Sequence, residues 1–314
     1  MKVSGVEAVA PATSANLGAG FDVFGVALDV LFDSVYVETT KDKRIEITVE
    51  GIGAEWLPTI TTRNTAGIVA QELLRVSGRR TGLKMRIKKG IRPGSGLGSS
   101  AASASAAAVA VNELLELGLS KKELVGFAAQ GEIASAGTPH ADNVSAAILG
   151  GFTVIRSRDP LDVTSLLMPE NVEFALVLPE ISLSTSVARS VLPKQVSLSD
   201  LAYNVGHAAT FVAGIALNDV ELMGKGMADS VIEPARAPLI LGLNHVKEMA
   251  VEAGAAGVTI SGAGPSVIAL VNSKKANAEK VAKAMQQGFA KCRIRSQTFC
   301  AKPGPGARIL RQKP

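Results

Sequence analysis

Residues 93–100 read Pro93-Gly94-Ser95-Gly96-Leu97-Gly98-Ser99-Ser100, and this run constrains the fold more than any other part of the chain. Before it, residues 83–87 set Leu83, Met85 and Ile87 against Lys84 and Arg86, the alternation of a half-buried strand. After it, the Ala-rich residues 101–117, closed by Gly118, predict a helix. Glycines between a strand and a helix let backbone N–H groups approach an anion closely. The helix start adds unpaired N–H donors and the positive end of its dipole. Ser99 and Ser100 add hydroxyls able to donate to phosphate or to ligate Mg²⁺. No Lys follows the last glycine, so the run is not a Walker A loop. Nor does its glycine spacing match the dinucleotide fingerprint. Taken alone, such a turn is as readily structural as functional.

The surrounding chain alternates strands and helices without strict order, which predicts an α+β fold. Residues 34–40 and 45–50 read as strands joined by a polar turn, and the pair is expected to form a hairpin. Residues 64–76 form an amphipathic helix ended by Gly78. Ser120 with Glu123 makes a capping-box pattern opening a helix to about residue 135. A polar loop over 137–143, a short helix over 144–149 and a strand over 152–155 follow. The charged turn 156–160 is the expected domain boundary, dividing the chain into 1–160 and 161–314. In the second half, strands are expected at 174–178, 257–260 and 267–271, with helices near 201–217, 243–253 and 276–287. The basic tail from residue 302, rich in Pro and Gly, is expected to fray.

Composition narrows the functional classes. Hydrophobic residues make up 47% and charged residues 19%, enough for a packed core and too apolar for a disordered chain. The net charge of +5 suits an anionic ligand, but aromatics are only 4%, too few for a surface that stacks nucleic-acid bases. No apolar run reaches membrane-spanning length, and the first ten residues hold no secretory core. Cys292 and Cys300 match no zinc spacing and read as reduced thiols. Nucleic-acid and membrane partners are therefore not expected, and a cytoplasmic location is.

Two further segments change the reading of the glycine-rich turn. One is Pro11-Ala12-Thr13-Ser14-Ala15-Asn16-Leu17-Gly18-Ala19-Gly20-Phe21-Asp22; the other is Ser261-Gly262-Ala263-Gly264-Pro265-Ser266. With Gly96-Leu97-Gly98-Ser99-Ser100, they resemble the three signature motifs of the GHMP kinases, in the same order and at about the same separations. The resemblance spans nearly the whole chain. It implies a two-domain α+β fold, with an N-terminal ATP-binding domain like the second domain of ribosomal protein S5 and a ferredoxin-like C-terminal domain. It also implies ATP along Pro93, Gly94, Ser95, Gly96, Leu97, Gly98, Ser99, Ser100 and Ala101, and Mg²⁺ on Ser100 and Glu132. The residues themselves agree on Glu132, which falls late in the helix after the phosphate-loop helix, where the two can converge. Mg²⁺ takes few protein oxygens, the rest being phosphate and water. Without the motifs, Glu132 reads as a surface helix residue.

Within the family, the first motif and Thr138-Pro139-His140-Ala141-Asp142-Asn143-Val144 are similar to the homoserine kinase branch. That likeness implies phosphorylation of the L-homoserine hydroxyl, a step toward threonine. Such an acceptor needs a partner for its ammonium and another for its carboxylate. Asp22 suits the first and Arg189 and Arg236 the second, with Asn16, His140 and Asn143 orienting the hydroxyl end. Each also has a plain structural reading: a turn cap, a solvated face, a loop histidine. By the same likeness Thr185 touches the substrate, and Asn143 orients the hydroxyl. Asp142, where other family members carry a base, is expected to be structural. His207 and His245 match nothing and read as structural. Rival readings are a kinase for mevalonate, shikimate or a sugar, a non-catalytic nucleotide-binding regulator, and a nucleic-acid-binding protein. The family's frequent dimers imply a homodimer, though no interface is legible in the sequence.

Overall fold

A computed structural model describes residues 4–136 and 140–313. Its first two strands, β1 (Gly5–Asn16) and β2 (Gly20–Thr40), pair antiparallel from Gly5↔Glu38 to Asn16↔Gly20. Irregularities at Pro11/Thr13 and Ala15/Asn16 bend the ribbon, so the first motif runs along a strand into a tight turn. β3 (Ile45–Gly51), helix α1 (Thr65–Ser77) and β4 (Gly82–Lys89) form a parallel crossover. The expected hairpin of β2 with β3 does not form, because β4 inserts between them. Cross-strand charge explains the order: Lys84 lies opposite Glu38 on one side and Glu46 on the other, and Lys88 opposite Glu50.

Helix α2 (Ser99–Leu114) starts directly after the glycine-rich loop and packs on β1, β2 and α1. Its Ala residues are all buried, so helix and sheet approach closely. α3 (Lys121–Gly131) opens on the expected capping box: the Ser120 hydroxyl accepts from the Glu123 N–H, and the Glu123 carboxylate accepts from the Ser120 N–H. α4 (Ile133–Ala136) and α5 (Asp142–Leu149) follow. β5 (Phe152–Arg158) and β6 (Leu161–Leu166) then form a hairpin that joins the first sheet through β2. The charged turn at 156–160 therefore closes a hairpin within one sheet.

The second half runs through β7 (Val172–Pro179), α6 (Thr185–Ser190), α7 (Leu198–Ala216), α8 (Val220–Lys225), α9 (Ile232–Arg236) and α10 (Leu243–Glu252). It ends with β8 (Gly257–Ile260), β9 (Val267–Asn272), α11 (Ala278–Lys291), β10 (Ser296–Ala301) and β11 (Arg308–Lys313). Among the described residues, the strands make a seven-stranded sheet and a four-stranded sheet of order β10-β7-β9-β8. The second has the ferredoxin-like order, with α10 and α11 on one face. On β7, Ala175 and Val177 face those helices, whereas Phe174 and Leu176 join the core of the first sheet. Phe24, Phe152 and Phe211 meet at this seam with ring centroids 5.0–5.7 Å apart.

The tail does not fray as expected. The Gly304 N–H donates to the Ala27 carbonyl (2.8 Å), the Ala307 N–H to that of Ala147 (2.7 Å), and β11 pairs with β1. Its backbone groups find partners on three elements, and that outweighs the loss of chain entropy.

Candidate active site

The three glycine-bearing segments, far apart in sequence, meet along one seam. The Thr13 N–H donates to the Leu97 carbonyl (3.1 Å), and the Gly262 N–H to that of Ala15 (3.1 Å). The Ser261 hydroxyl lies 2.8 Å from the Gly96 carbonyl and 2.9 Å from the Ser14 hydroxyl. This interlock needs glycine at two places. A Cβ on Gly96 would stand 2.6 Å from the Ser261 carbonyl oxygen, and one on Gly98 would stand 1.9 Å from the Thr13 hydroxyl oxygen. Both also have positive φ, +78° and +66°, so any other residue would be strained as well as crowded.

The segments border a cavity of about 360 Å³. At one end lie the glycine loop and the opening turn of α2, which has no side-chain cap. There the Ser100 hydroxyl donates to the Glu132 carboxylate (2.9 Å). Two hard oxygen donors side by side at a glycine cradle fit a small divalent cation that also binds phosphate. Not every residue of the run faces the cavity. Leu97 and Ala101 are buried in the core behind it. Ser99 differs from expectation: its hydroxyl donates to the Ile91 carbonyl (2.8 Å), committing it to the loop's own backbone. Beneath the α2 terminus Lys89 is buried against Asp33, Ser103 and the Ser99 carbonyl. Burial pulls its ammonium below its ordinary value, opposed by Asp33.

Asn16, Asp22, His140, Asp142, Asn143, Thr185, Arg189 and Arg236 also border the cavity, with Asn143 beside Gly98. Thr138 and Pro139 of the same pattern lie outside the described residues. Asn16 fixes the turn after β1: its carbonyl accepts from the Asp22 N–H (3.0 Å) and its amide donates to the Gly262 carbonyl (2.8 Å). The Asp22 carboxylate meets the Arg189 guanidinium at 2.9 and 3.2 Å and that of Arg158 at 2.8 Å, with His140 at 4.0 Å. Burial pushes Asp22 up, but Arg158 and Arg189 together hold it below the usual carboxylate value. Burial and the nearby Arg189 lower His140. Arg236, on α9, is buried; it donates to the carbonyls of Ala188 (3.1 Å) and Gly262 (3.0 Å). The Phe21 ring lies 5.4 Å from the Arg189 guanidinium and 5.5 Å from that of Arg236, which lets two like charges share one wall.

Asp142 and Asn143 open α5 and both border the cavity. Asn143 accepts from the Thr13 hydroxyl (2.7 Å), which points its amide group. The Asp142 carboxyl accepts from the Asn143 N–H (2.8 Å) and is pushed up to about 6 by burial and by the charge of Asp22. Arg158, Phe21, Thr13 and the Asp33–Lys89 pair were missed as site residues. Arg158 sat in a turn read as a boundary, and only the register of β5 on β2 brings it to Asp22.

Family models for the N-terminal and C-terminal domains of GHMP kinases match residues 64–151 and 211–291. A homoserine kinase of Methanococcus maripaludis is 46% identical over 84% of this chain and 87% of its own length. One from Halorubrum lacusprofundi is 44% identical over 96% of this chain and 98% of its own. The crystal structure of a homoserine kinase from Cytophaga hutchinsonii superposes with a TM-score of 0.92 at 39% identity, covering 98% of each chain.

Proposed function

The chain belongs to the GHMP kinases, in their homoserine kinase branch, and we propose that it transfers the γ-phosphoryl group of ATP to the L-homoserine hydroxyl through the residues gathered at this cavity. As a member of that family it is a small-molecule kinase with an alcohol acceptor. The observation that carries the acceptor assignment is the Asp22 carboxylate paired with Arg189, with Arg189 and Arg236 set against the same Phe21 ring beside the cavity. One carboxylate and two guanidiniums match an amino-acid zwitterion. The Arg189 Nε is buried with no hydrogen-bond partner among the described residues, a donor ready for a carboxylate oxygen. Mevalonate and shikimate carry a carboxylate for the arginines but no ammonium to draw on Asp22.

In this reading the phosphates of ATP lie against the N–H groups of the loop and the start of α2. The base lies toward Leu57 and Pro58 at the cavity's rim. Ser100 and Glu132 would hold Mg²⁺, which would supply charge neutralisation for the phosphates of ATP. Asp22 binds the acceptor's ammonium, Arg189 and Arg236 its carboxylate, and Asn143 aims the hydroxyl oxygen at the γ-phosphorus. A loose transition state needs little activation of the nucleophile. Asp142 therefore serves the electrostatics of the site; as the bond to ADP breaks and the new P–O bond forms, the hydroxyl proton passes late to an oxygen of the transferred phosphoryl group. We place the reaction in the cytoplasm, where ATP is abundant and free thiols such as Cys292 and Cys300 persist. No helix among the described residues is long and apolar enough to cross a membrane.

The test is ADP release with ATP and Mg²⁺ against L-homoserine, D-homoserine, L-serine, L-threonine, mevalonate, shikimate and galactose. A strong, stereoselective response to L-homoserine is expected. A stronger response to mevalonate or shikimate would keep the kinase and overturn the acceptor.

A further inference from the structure

Asp22 is the one carboxylate assigned to the acceptor's ammonium, yet two guanidiniums hold it, and they stand in different places. Arg189, on α6, borders the cavity, whereas Arg158, at the end of β5, does not. Arg158 reaches the Asp22 Oδ2 at 2.8 Å from outside the cavity wall. The Asp22 side chain is 11% exposed and that of Arg158 51%, so the guanidinium spans from solvent to a nearly buried anion. β5 is fixed to the strand that carries Asp22 by the register Phe24↔Val154 and Val26↔Phe152. The approach of Arg158 is thus set by the sheet rather than by a free loop.

An entering ammonium must take over part of the Asp22 carboxylate, and an entering carboxylate must draw on Arg189. Both arrivals weaken the Asp22–Arg189 pair. They leave the pair with Arg158 in place, because that partner lies outside the space the acceptor fills. Resting on the acceptor assignment above, we infer that Arg158 is a positioning residue of the acceptor site, holding Asp22 charged and aimed into the cavity while Arg189 turns to the acceptor's carboxylate. The other groups facing Asp22 do not replace it. His140, from the segment before α5, stands at 4.0 Å, and Asp142, from α5, carries a like charge.

The experiment compares the full-length wild type with Arg158→Gln and Arg158→Lys in steady-state ADP release, varying L-homoserine and ATP separately. For Arg158→Gln, KM for L-homoserine is expected to rise by about three- to fivefold, the upper part of the scale of one half-exposed charged contact, while kcat and KM for ATP stay within about twofold. Arg158→Lys should fall between the two. A parallel readout uses no acceptor: NMR titration of the Asp22 carboxyl, assigned with Asp22→Asn, should move to higher pH in Arg158→Gln. A merely structural role would lower kcat, raise KM for ATP, or leave the titration unmoved, and any of these overturns the inference. A fall in KM for L-homoserine also overturns it, since Arg158 would then compete with the acceptor for Asp22. If the wild type does not phosphorylate L-homoserine at all, the acceptor assignment fails. The Asp22 titration then still decides whether Arg158 holds that carboxylate.

Discussion

Two neighbours at the start of α5 divide the work at the reacting hydroxyl, and their environments say how. Asn143 is pointed by the Thr13 hydroxyl and cannot take a proton. Asp142 is fully buried and pushed up to about 6, so near neutral pH it is mostly charged. If Asn143 aims the nucleophile, Asn143→Ala should lower kcat by at least about tenfold, roughly the worth of one positioning contact in a transition state. Asp142→Asn should cost less. A loss of several orders of magnitude in Asp142→Asn, with Asn143→Ala intact, would make Asp142 the base.

Asp142 also predicts a stability trend. Its folded value lies above its unfolded one, so the folded state binds the proton more tightly and this group's contribution falls as pH rises from about 4 to about 6. Thermal melts of wild type against Asp142→Asn should therefore show the variant gaining relative stability across that window, by at most roughly 3 kcal/mol. Asp22 acts in the opposite sense, since its held-down carboxylate contributes above its unfolded value and loses that contribution as pH drops below it. At this scale the sequence was most legible where a residue sat inside a motif, as with Asn16, Asp22 and Asn143. It was silent on Arg158 and Lys89, because a cation in a charged turn or an alternating strand carries no sign of which neighbour folding will bring to it.

Among elements, local pattern located several strands and helices, though not β6, β10 or β11, and did not order them. The alternation in β4 and the capping box of α3 depend only on nearby residues, and both appear where the sequence set them. The pairing of β2 with β4 instead of β3 depends on the opposed charges of three strands, which spacing alone does not display. The tail shows the same limit: Pro and Gly read as disorder until Ala27, Ala147 and β1 supply partners. Deleting residues 302–314 would strip β1 of an edge partner and free the turn after α5. The expected results are a Tm lower by several degrees, corresponding to about 1–3 kcal/mol, and greater aggregation on heating, because β1 would present an unpaired edge. Differential scanning calorimetry with light scattering checks both; an unchanged Tm would mean that β11 only decorates the sheet.

For the whole molecule, the cavity lies at a seam between the two sheets, and the seam is closed by a shared core. α7 supplies Phe211 to that core, against Phe24 and Phe152. Its opposite side is left uncovered by the described residues. Leu198, Leu201 and Val205 are exposed there, and Ala202, Gly206, Ala209 and Ala213 leave low relief beside them. A second copy turned about a two-fold axis would meet the same row, larger residues set against the smaller ones. A 19-residue helix is about 28 Å long, so its face alone falls short of the roughly 800 Å² per partner of a stable interface. Val196 and Leu217, exposed just before and after it, extend the apolar row. We therefore propose that the protein is a homodimer through α7. Light scattering at micromolar concentration should give twice the chain mass for the wild type and the single-chain mass for a Leu201→Glu, Val205→Glu variant. Every residue assigned to the site comes from one chain, so the variant should keep its kcat. A wild type that runs as a monomer would remove the interface, and a dimer that survives both glutamates would place it elsewhere on the surface.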